Sequence, residues 1–163
     1  MHEPTAGVVR SREQVAPYRF AGMNFEVRVL VSSADSGGAQ AVTEFTFERP
    51  FDGPPLHWHR SYAETFVCLE GTCTVRFAHH DEQLAPGDVA YIPPGILHSY
   101  RIEGASRSRY LLVCSPSGDF DKYVADAAAV AAESHRRNAP VDMEVLRAIR
   151  GRYQTYEADV PHF

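Results

Sequence analysis

The sequence is poor in cysteine and has no excess of positive charge. Its 163 residues include three cysteines, an odd number without a Cys-x-x-Cys pair, which argues against a disulfide framework and against a zinc knuckle. The formal net charge of −5 provides no basic field that would attract a phosphate backbone. Nucleic acid is therefore not an expected partner.

The sequence also lacks a long hydrophobic run. Its longest nearly uncharged stretch, 84–100, contains Asp88 and is interrupted by prolines, so we expect no membrane-spanning helix. The first fourteen residues carry charges and no apolar segment, which predicts no secretory signal and a cytoplasmic location. The absence of a Gly-x-Ser-x-Gly elbow and of a glycine-rich phosphate loop argues against a serine nucleophile and a nucleotide site.

Short runs of alternating apolar and polar residues follow one another from Phe25 to Cys114. They are separated by turns rich in glycine, proline and aspartate, without intervening helical periods. Many short strands at this spacing indicate an antiparallel β-sandwich or barrel. The predicted strands are 25–29, 42–47, 64–69, 73–77, 88–92, 97–102 and 109–113.

The cysteines lie in predicted strands. A two-residue turn at Glu70-Gly71 would make a hairpin that sets Cys68 opposite Cys73. A disulfide between them is geometrically conceivable, and a reducing compartment would instead keep two free thiols. Cys114 is expected in the core.

The period changes from two to that of a helix after Gly118. Apolar residues then recur at helical spacing, which predicts one helix capped by Asp119 and ending near Arg137, and a short second helix capped by Asp142 and ending near Gly151. We expect this helical tail, at about 118–151, to pack on the outside of the β domain. A cover over a barrel mouth and a dimer interface are the alternatives.

Two histidines in alternating positions follow a proline-glycine turn. His57 and His59 are two residues apart, which places both imidazoles on one face of a strand. Glu64 follows at the head of an apolar strand, where an inward carboxylate needs a partner or a metal ion. The alternatives are exposed or hydrogen-bonded histidines and an ordinary outward-facing glutamate.

A third histidine begins another strand. The segment 87–98 leads through a strand and the rigid turn at residues 93–95 to His98. If the sheet closes on itself, His98 comes beside His57 and His59. Three imidazoles and one carboxylate suit one Fe(II), Mn, Co, Ni, Cu or Zn ion, whereas Ca²⁺ and Mg²⁺ prefer oxygen ligands.

These two segments resemble the two sequence motifs of the cupin superfamily. The first motif is similar to the stretch from Gly53 through His57, His59 and Glu64 to Gly71, and the second to the stretch from Gly87 through Pro93-Pro94-Gly95 to His98. Two departures are visible. Fewer residues separate Gly53 from His57 than is usual, and Ile102 stands where the second motif usually ends in asparagine. Neither position is a ligand in the family.

The length of 163 residues is that of one domain, spanning 1–163. The resemblance implies that this domain has an all-β fold, an antiparallel jelly-roll barrel at about 20–115. It implies one divalent transition metal per chain, with His57, His59, Glu64 and His98 as ligands. Bacterial cupins of this size commonly dimerise, so we expect a homodimer.

The residues around the first motif are most similar to those of quercetin 2,3-dioxygenase-type cupins. This implies a metal-dependent dioxygenase that acts with O₂ on a small aromatic or enol-type substrate, such as a flavonol or polyketide, with Glu64 as general base. Because one fold supports many chemistries, two alternatives stay open. One is a non-redox isomerase, cyclase or dehydratase, and the other is a small-molecule binding protein without catalysis.

Alternation also predicts the side chains that line the barrel. If Glu64 points inward, alternate residues on its strand and on neighbouring strands share that face. Plain core packing is the alternative for each of them. The predicted pocket residues are Phe66, Cys68, Cys73, Val75, Phe77, Tyr100 and Ile102.

The remaining candidates are expected outside the site. Trp58, between two inward histidines, should face the other side of its strand and pack between sheets or at a dimer interface. His79 and His80 are predicted to be solvated turn residues, and no role is assigned to His2, His135 and His162.

Overall fold

The computed structural model describes residues 7–104 and 106–159. His2, His162 and the start of the segment in which we expect no secretory signal lie outside these residues. A short 3-10 turn at Arg12–Gln14 precedes the first strand. The strands are β1 (Tyr18–Phe20), β2 (Phe25–Val31), β3 (Ala41–Phe47), β4 (His57–His59), β5 (Ala63–Glu70), β6 (Cys73–Phe77), β7 (Asp81–Leu84), β8 (Val89–Ile92), β9 (His98–Arg101), β10 (Ser108–Ser115) and β11 (Thr155–Glu157), and the helices α1 (Phe120–Arg136) and α2 (Met143–Arg152) lie between β10 and β11.

The strands form two antiparallel sheets of a jelly roll. One sheet has the order β1-β2-β3-β10-β5-β8 and the other β11-β4-β9-β6-β7. In the described residues the two sheets are not joined by hydrogen bonds into a closed barrel. The predicted antiparallel all-β fold with two C-terminal helices is confirmed. No described helix is both long and apolar enough to cross a bilayer.

The core between the sheets is aromatic. Phe45 stacks on Tyr110 with ring centroids 5.0 Å apart, and Phe66 lies 5.8 Å from the ring of Tyr100 on the opposite sheet. Because successive side chains of a strand alternate between faces, the alternation in the sequence produces this continuous apolar layer.

The predicted hairpin at Glu70-Gly71 is wrong. β5 pairs with β8 and β10, whereas β6 pairs with β7 and β9, so the chain crosses from one sheet to the other at this point. The same turn sequence can connect two neighbouring strands of one sheet or two strands of different sheets. The second connection forms here because it lets both sheets bury their apolar inner faces against each other. Cys68, Cys73 and Cys114 are all buried free thiols.

The two helix caps differ. The side chain of Asp142 accepts hydrogen bonds from the backbone N–H groups of Glu144 and Val145, which confirms the predicted cap. Asp119 precedes α1 as predicted, but its backbone is left-handed with φ 51° and its side chain makes no capping bond.

Asp142→Ala is therefore expected to lower the free energy of unfolding by about 1 kcal/mol, because two N–H groups lose their acceptor. Urea unfolding followed by circular dichroism measures this change. Asp119→Asn is the matched control, since asparagine tolerates the left-handed backbone and no capping bond is lost. An equal loss in both variants would contradict the assignment of the cap.

Candidate metal centre

The three histidines come from adjacent strands of one sheet. His57 and His59 lie on β4, after the turn at Gly53-Pro54-Pro55, and His57 is directly opposite His98 in the register of β4 with β9. Glu64 reaches the same point from β5 in the other sheet, where it is opposite Ile92. The predicted meeting of His98 with the first motif therefore follows from one antiparallel pairing.

The four side chains form a compact buried cluster. Their candidate ligand atoms all lie within 4.8 Å of one another, and all four residues are buried. Nε2 of His98 lies 3.0 Å from Oε2 of Glu64, and Nε2 of His59 lies 3.2 Å from Oε1 of the same carboxylate. Nε2 of His59 is buried and is not aligned for a hydrogen bond. A buried carboxylate thus faces a group of imidazole nitrogens.

Backbone carbonyls fix the protonation of two of the rings. Nδ1–H of His57 donates to the carbonyl oxygen of Pro55 at 2.9 Å, and Nδ1–H of His98 donates to that of Ile96 at 2.8 Å. A carbonyl oxygen can only accept, so in the neutral rings Nε2 carries the lone pair. The lone pair of His98 faces Oε2 of Glu64 at 3.0 Å. Two acceptors at this distance need a shared proton or a cation between them.

Burial and neighbouring groups act together on the pKa of His57 and against each other on the pKa of Glu64. Burial, reinforced by the neighbouring His98 and His59, lowers the pKa of His57 well below its ordinary value, so this ring is neutral. Burial alone would raise the pKa of Glu64, but His59 and His98 outweigh it and hold that pKa well below the ordinary value. The neutral ring of His57 and the ionised carboxylate of Glu64 are in the forms that bind a divalent transition metal.

The residue that orients His59 was not expected from the sequence. Thr155 lies on β11, which pairs with β4 so that Thr155 is opposite His59. Its Oγ1 lies 3.0 Å from Nδ1 of His59 and 2.9 Å from the hydroxyl of Tyr62, whose ring stacks on that of His59 at 4.2 Å. A three-residue strand after two helices carries no alternation signal long enough to be recognised.

A cavity of about 290 Å³ opens beside the cluster. His57, His59, Glu64 and Tyr100 form part of its wall, together with apolar side chains of the six-stranded sheet. β11 and the loop before β4 add to this wall, and the helices contribute Phe120, Val124, Ala127, Ala131 and Leu146. The helices thus cover the mouth of the β domain, and the preferred prediction of packing on its outside is corrected.

Of the seven predicted pocket residues, Tyr100 lines this cavity. Five others are completely buried in the core, and Phe77 packs against the core and stacks on His80. Alternation identifies the face of each strand that points inward, but it does not show which end of the inner face is left open. The residues that the core encloses are Phe66, Cys68, Cys73, Val75 and Ile102.

Trp58 and the other described histidines lie outside the cluster, as predicted. Trp58 is buried and packs on Tyr156 of β11 with ring centroids 5.0 Å apart, on the side of β4 away from the histidine cluster. His79, His80 and His135 are exposed. None of these residues belongs to the cluster.

Comparison with known proteins places this site in a family. Residues 45–114 match the family described as Cupin domain. The quercetin 2,3-dioxygenase of Bacillus subtilis is 43% identical over 47 residues, which cover 29% of this chain and 14% of that protein. Protein-glutamate methylesterase/protein-glutamine glutaminase 2 of Cupriavidus pinatubonensis is 35% identical over 81 residues, 44% of this chain and 22% of that protein.

The solved structures agree on the fold. The polyketide cyclase RemF from Streptomyces resistomycificus superposes with a TM-score of 0.58 at 19% identity, covering 77% of this chain and 98% of that chain. At this identity the likeness shows the fold alone, and the chain spans less than a quarter of the two curated relatives. The matched segment contains all four clustered residues, and together with the jelly roll it supports a member of the cupin superfamily.

Proposed function

We propose that His57, His59, Glu64 and His98 bind one divalent transition metal, and that the chain is a mononuclear metal-dependent oxygenase. The observation that carries the proposal is the buried cluster, in which imidazole nitrogens and a carboxylate face one another beside an apolar cavity. Fe, Mn, Co, Ni, Cu and Zn all accept such a mixed nitrogen and oxygen donor set. The bound ion would act as a Lewis acid and hold the substrate next to O₂.

Glu64 is the proposed general base. It is ionised and buried, and it lies in the cavity wall, where it can accept the proton of a substrate hydroxyl. The thiol of Cys114 lies 3.9 Å from Oε1 of Glu64. Burial and the nearby carboxylate raise the pKa of this thiol well above its ordinary value, so it stays protonated and donates to Glu64.

The cavity supports a small aromatic or enol-type substrate. Its walls include the rings of Phe45, Phe51 and Tyr100 and the aliphatic residues of both helices. A mostly apolar wall with a few polar groups at one place is typical of small-molecule sites. The local similarity to a quercetin 2,3-dioxygenase supports the proposal that the chain is an oxygenase.

A non-redox isomerase, cyclase or dehydratase is the second candidate. The observation in its favour is Tyr100, whose phenol lies in the cavity wall. Burial raises the pKa of Tyr100, so the phenol keeps its proton and can donate a hydrogen bond to a substrate. Glu64 and Tyr100 would then be a base and a hydrogen-bond donor in one cavity.

The deciding experiment measures metal content and oxygen uptake together. Metal-stripped protein is reloaded separately with Fe(II), Mn, Co, Ni, Cu or Zn and tested on flavonols and hydroxyquinones. We expect one ion per chain and, for the working metal, oxygen uptake that equals substrate loss. His98→Ala should lose both, and His79→Ala, an exposed histidine outside the cluster, should keep both.

The outcomes separate the candidates. Substrate loss without oxygen uptake would support the non-redox reaction. Retention of the metal with no turnover of any compound would favour a binding protein. A native chain that retains no metal would overturn the proposed centre.

Thr155→Val is expected to weaken metal binding by about 10–100-fold, because His59 loses the partner that orients its ring. Competition with a chromophoric chelator measures the dissociation constant. Thr155→Ser keeps the hydroxyl and should bind the metal like the native chain. Equal affinity in the valine and serine variants would show that Thr155 does not orient the ligand.

We also propose that the chain forms a homodimer. β8 is an edge strand of the six-stranded sheet, and its outward residues Val89 and Tyr91 are 58% and 64% exposed. A second copy can pair with such an edge by a two-fold axis. Light scattering is expected to give about twice the chain mass of 18.2 kDa. Tyr91→Glu places a charge on this edge and should give the mass of a single chain.

A further inference from the structure

A buried arginine lies in the wall of the cavity. Arg150 belongs to α2, is 7% exposed, and lines the cavity together with His57, His59 and Thr155. Among the described residues of this wall, it is the one with a permanent positive charge. Burying a guanidinium group is costly unless a carboxylate or several acceptors compensate it.

The N–H donors of this guanidinium are only partly used within the described chain. Nη1 of Arg150 donates to Oε1 of Glu157 at 2.9 Å, and this is the one hydrogen bond found for its side chain in the described residues. A guanidinium group has five N–H donors in a planar fork. Arg150 therefore has further donors for a ligand in the cavity.

The backbone fixes Arg150 near the histidine cluster. Glu157 lies on β11 directly opposite His57 of β4, and therefore shares a face of the sheet with it. The ion pair between Glu157 and Arg150 holds the guanidinium beside this face. The strand that orients His59 through Thr155 thus also positions a cation.

A neighbouring arginine shows that this burial is not needed to attach α2 to β11. Arg147 of α2 also approaches Glu157, with Nε 3.7 Å from Oε2, and forms an ion pair with Asp159 at 2.6 Å. Its side chain is 47% exposed and is absent from the cavity wall. An exposed arginine therefore already connects α2 to the end of β11, so attachment of the helix alone does not require a buried guanidinium.

We propose that Arg150 binds a carboxylate of the substrate, so that the cavity accepts a small aromatic acid. One guanidinium can hold one carboxylate by two parallel hydrogen bonds. The apolar wall would enclose the ring, and the opposite part of the molecule would face the histidine cluster. This inference rests on the proposed function only in taking this cavity as the substrate site.

The test uses metal-free protein, so that its result depends neither on the metal nor on turnover. Isothermal titration calorimetry compares 2-naphthoate with 2-naphthamide, which has the same ring and no charge. We expect the native chain to bind the acid at least about tenfold more tightly than the amide, as charge-assisted hydrogen bonds are the stronger kind. Arg150→Met should reduce this ratio to about one, by loss of the charge.

Two further variants keep the test decisive if Arg150→Met is poorly folded. Arg147→Met removes the exposed arginine on the same helix and should keep the native ratio. Glu157→Gln leaves Arg150 without its internal carboxylate and should bind the acid more tightly than the native chain. Equal binding of acid and amide by the native chain, or an unchanged ratio in a folded Arg150→Met, would overturn the proposal even if the metal-dependent reaction is established.

Discussion

Glu64→Gln is expected to lower the turnover number by at least about a hundredfold, the lower range for loss of a general base. Glutamine has nearly the shape of glutamate, so the buried side chain still fits between His59 and His98. It can no longer accept the substrate proton as a carboxylate does. Oxygen uptake and substrate loss, measured at a metal concentration that saturates the variant, report the loss of turnover separately from loss of metal.

The matched control is Glu82→Gln. Glu82 lies on β7 with an exposed side chain, outside the cavity wall. It should have native turnover and native metal content. A metal-loaded Glu64→Gln variant with native turnover would show that Glu64 is not the base.

Gly53→Ala is expected to have the largest effect on the structure. Gly53 has a φ of +85°, and a Cβ atom built on it would lie 1.7 Å from the carbonyl oxygen of Tyr100. A backbone oxygen cannot rotate away as a side chain does, so β4 and β9 would have to move apart. The same displacement would separate His57 from His98.

Gly38→Ala separates this collision from backbone strain. Gly38 has nearly the same φ, +84°, and a Cβ atom there would meet nothing within 4 Å. Urea unfolding should show that Gly53→Ala loses at least about 2 kcal/mol more than Gly38→Ala, as expected for forced overpacking. Equal losses would mean that the turn relaxes without moving the histidine strands.

The strands and the shared face of His57 and His59 could be predicted because both depend on local periodicity. A spacing of two places His57 and His59 on one face of any strand, whatever sheet that strand joins. The proline-glycine turn before His98 predicts a strand that begins at this residue. The histidine spacing and this turn do not depend on how the sheets are arranged. The resemblance to the cupin motifs rests on both.

The pocket could not be predicted in the same way. Phe66, Val75 and Ile102 point inward as predicted and are buried. Whether an inward side chain meets a cavity or another side chain depends on the opposite sheet. The hairpin expected between Cys68 and Cys73 failed for a related reason. Its turn is compatible with a hairpin and with a crossing, and only the packing of the two sheets distinguishes them.

The sequence by itself determined the class of the fold, the residues that form the two helices and the chemistry of the four clustered side chains. The tertiary structure alone decided that α1 and α2 cover the open end, that Thr155 meets His59, and that Arg150 lies in the cavity wall. The alternation of apolar residues in strands and the preferences of turn residues involve neighbours in the chain, so both are visible in the sequence. Contacts between β4 and a segment almost a hundred residues later depend on how the finished sheets and helices bury their faces.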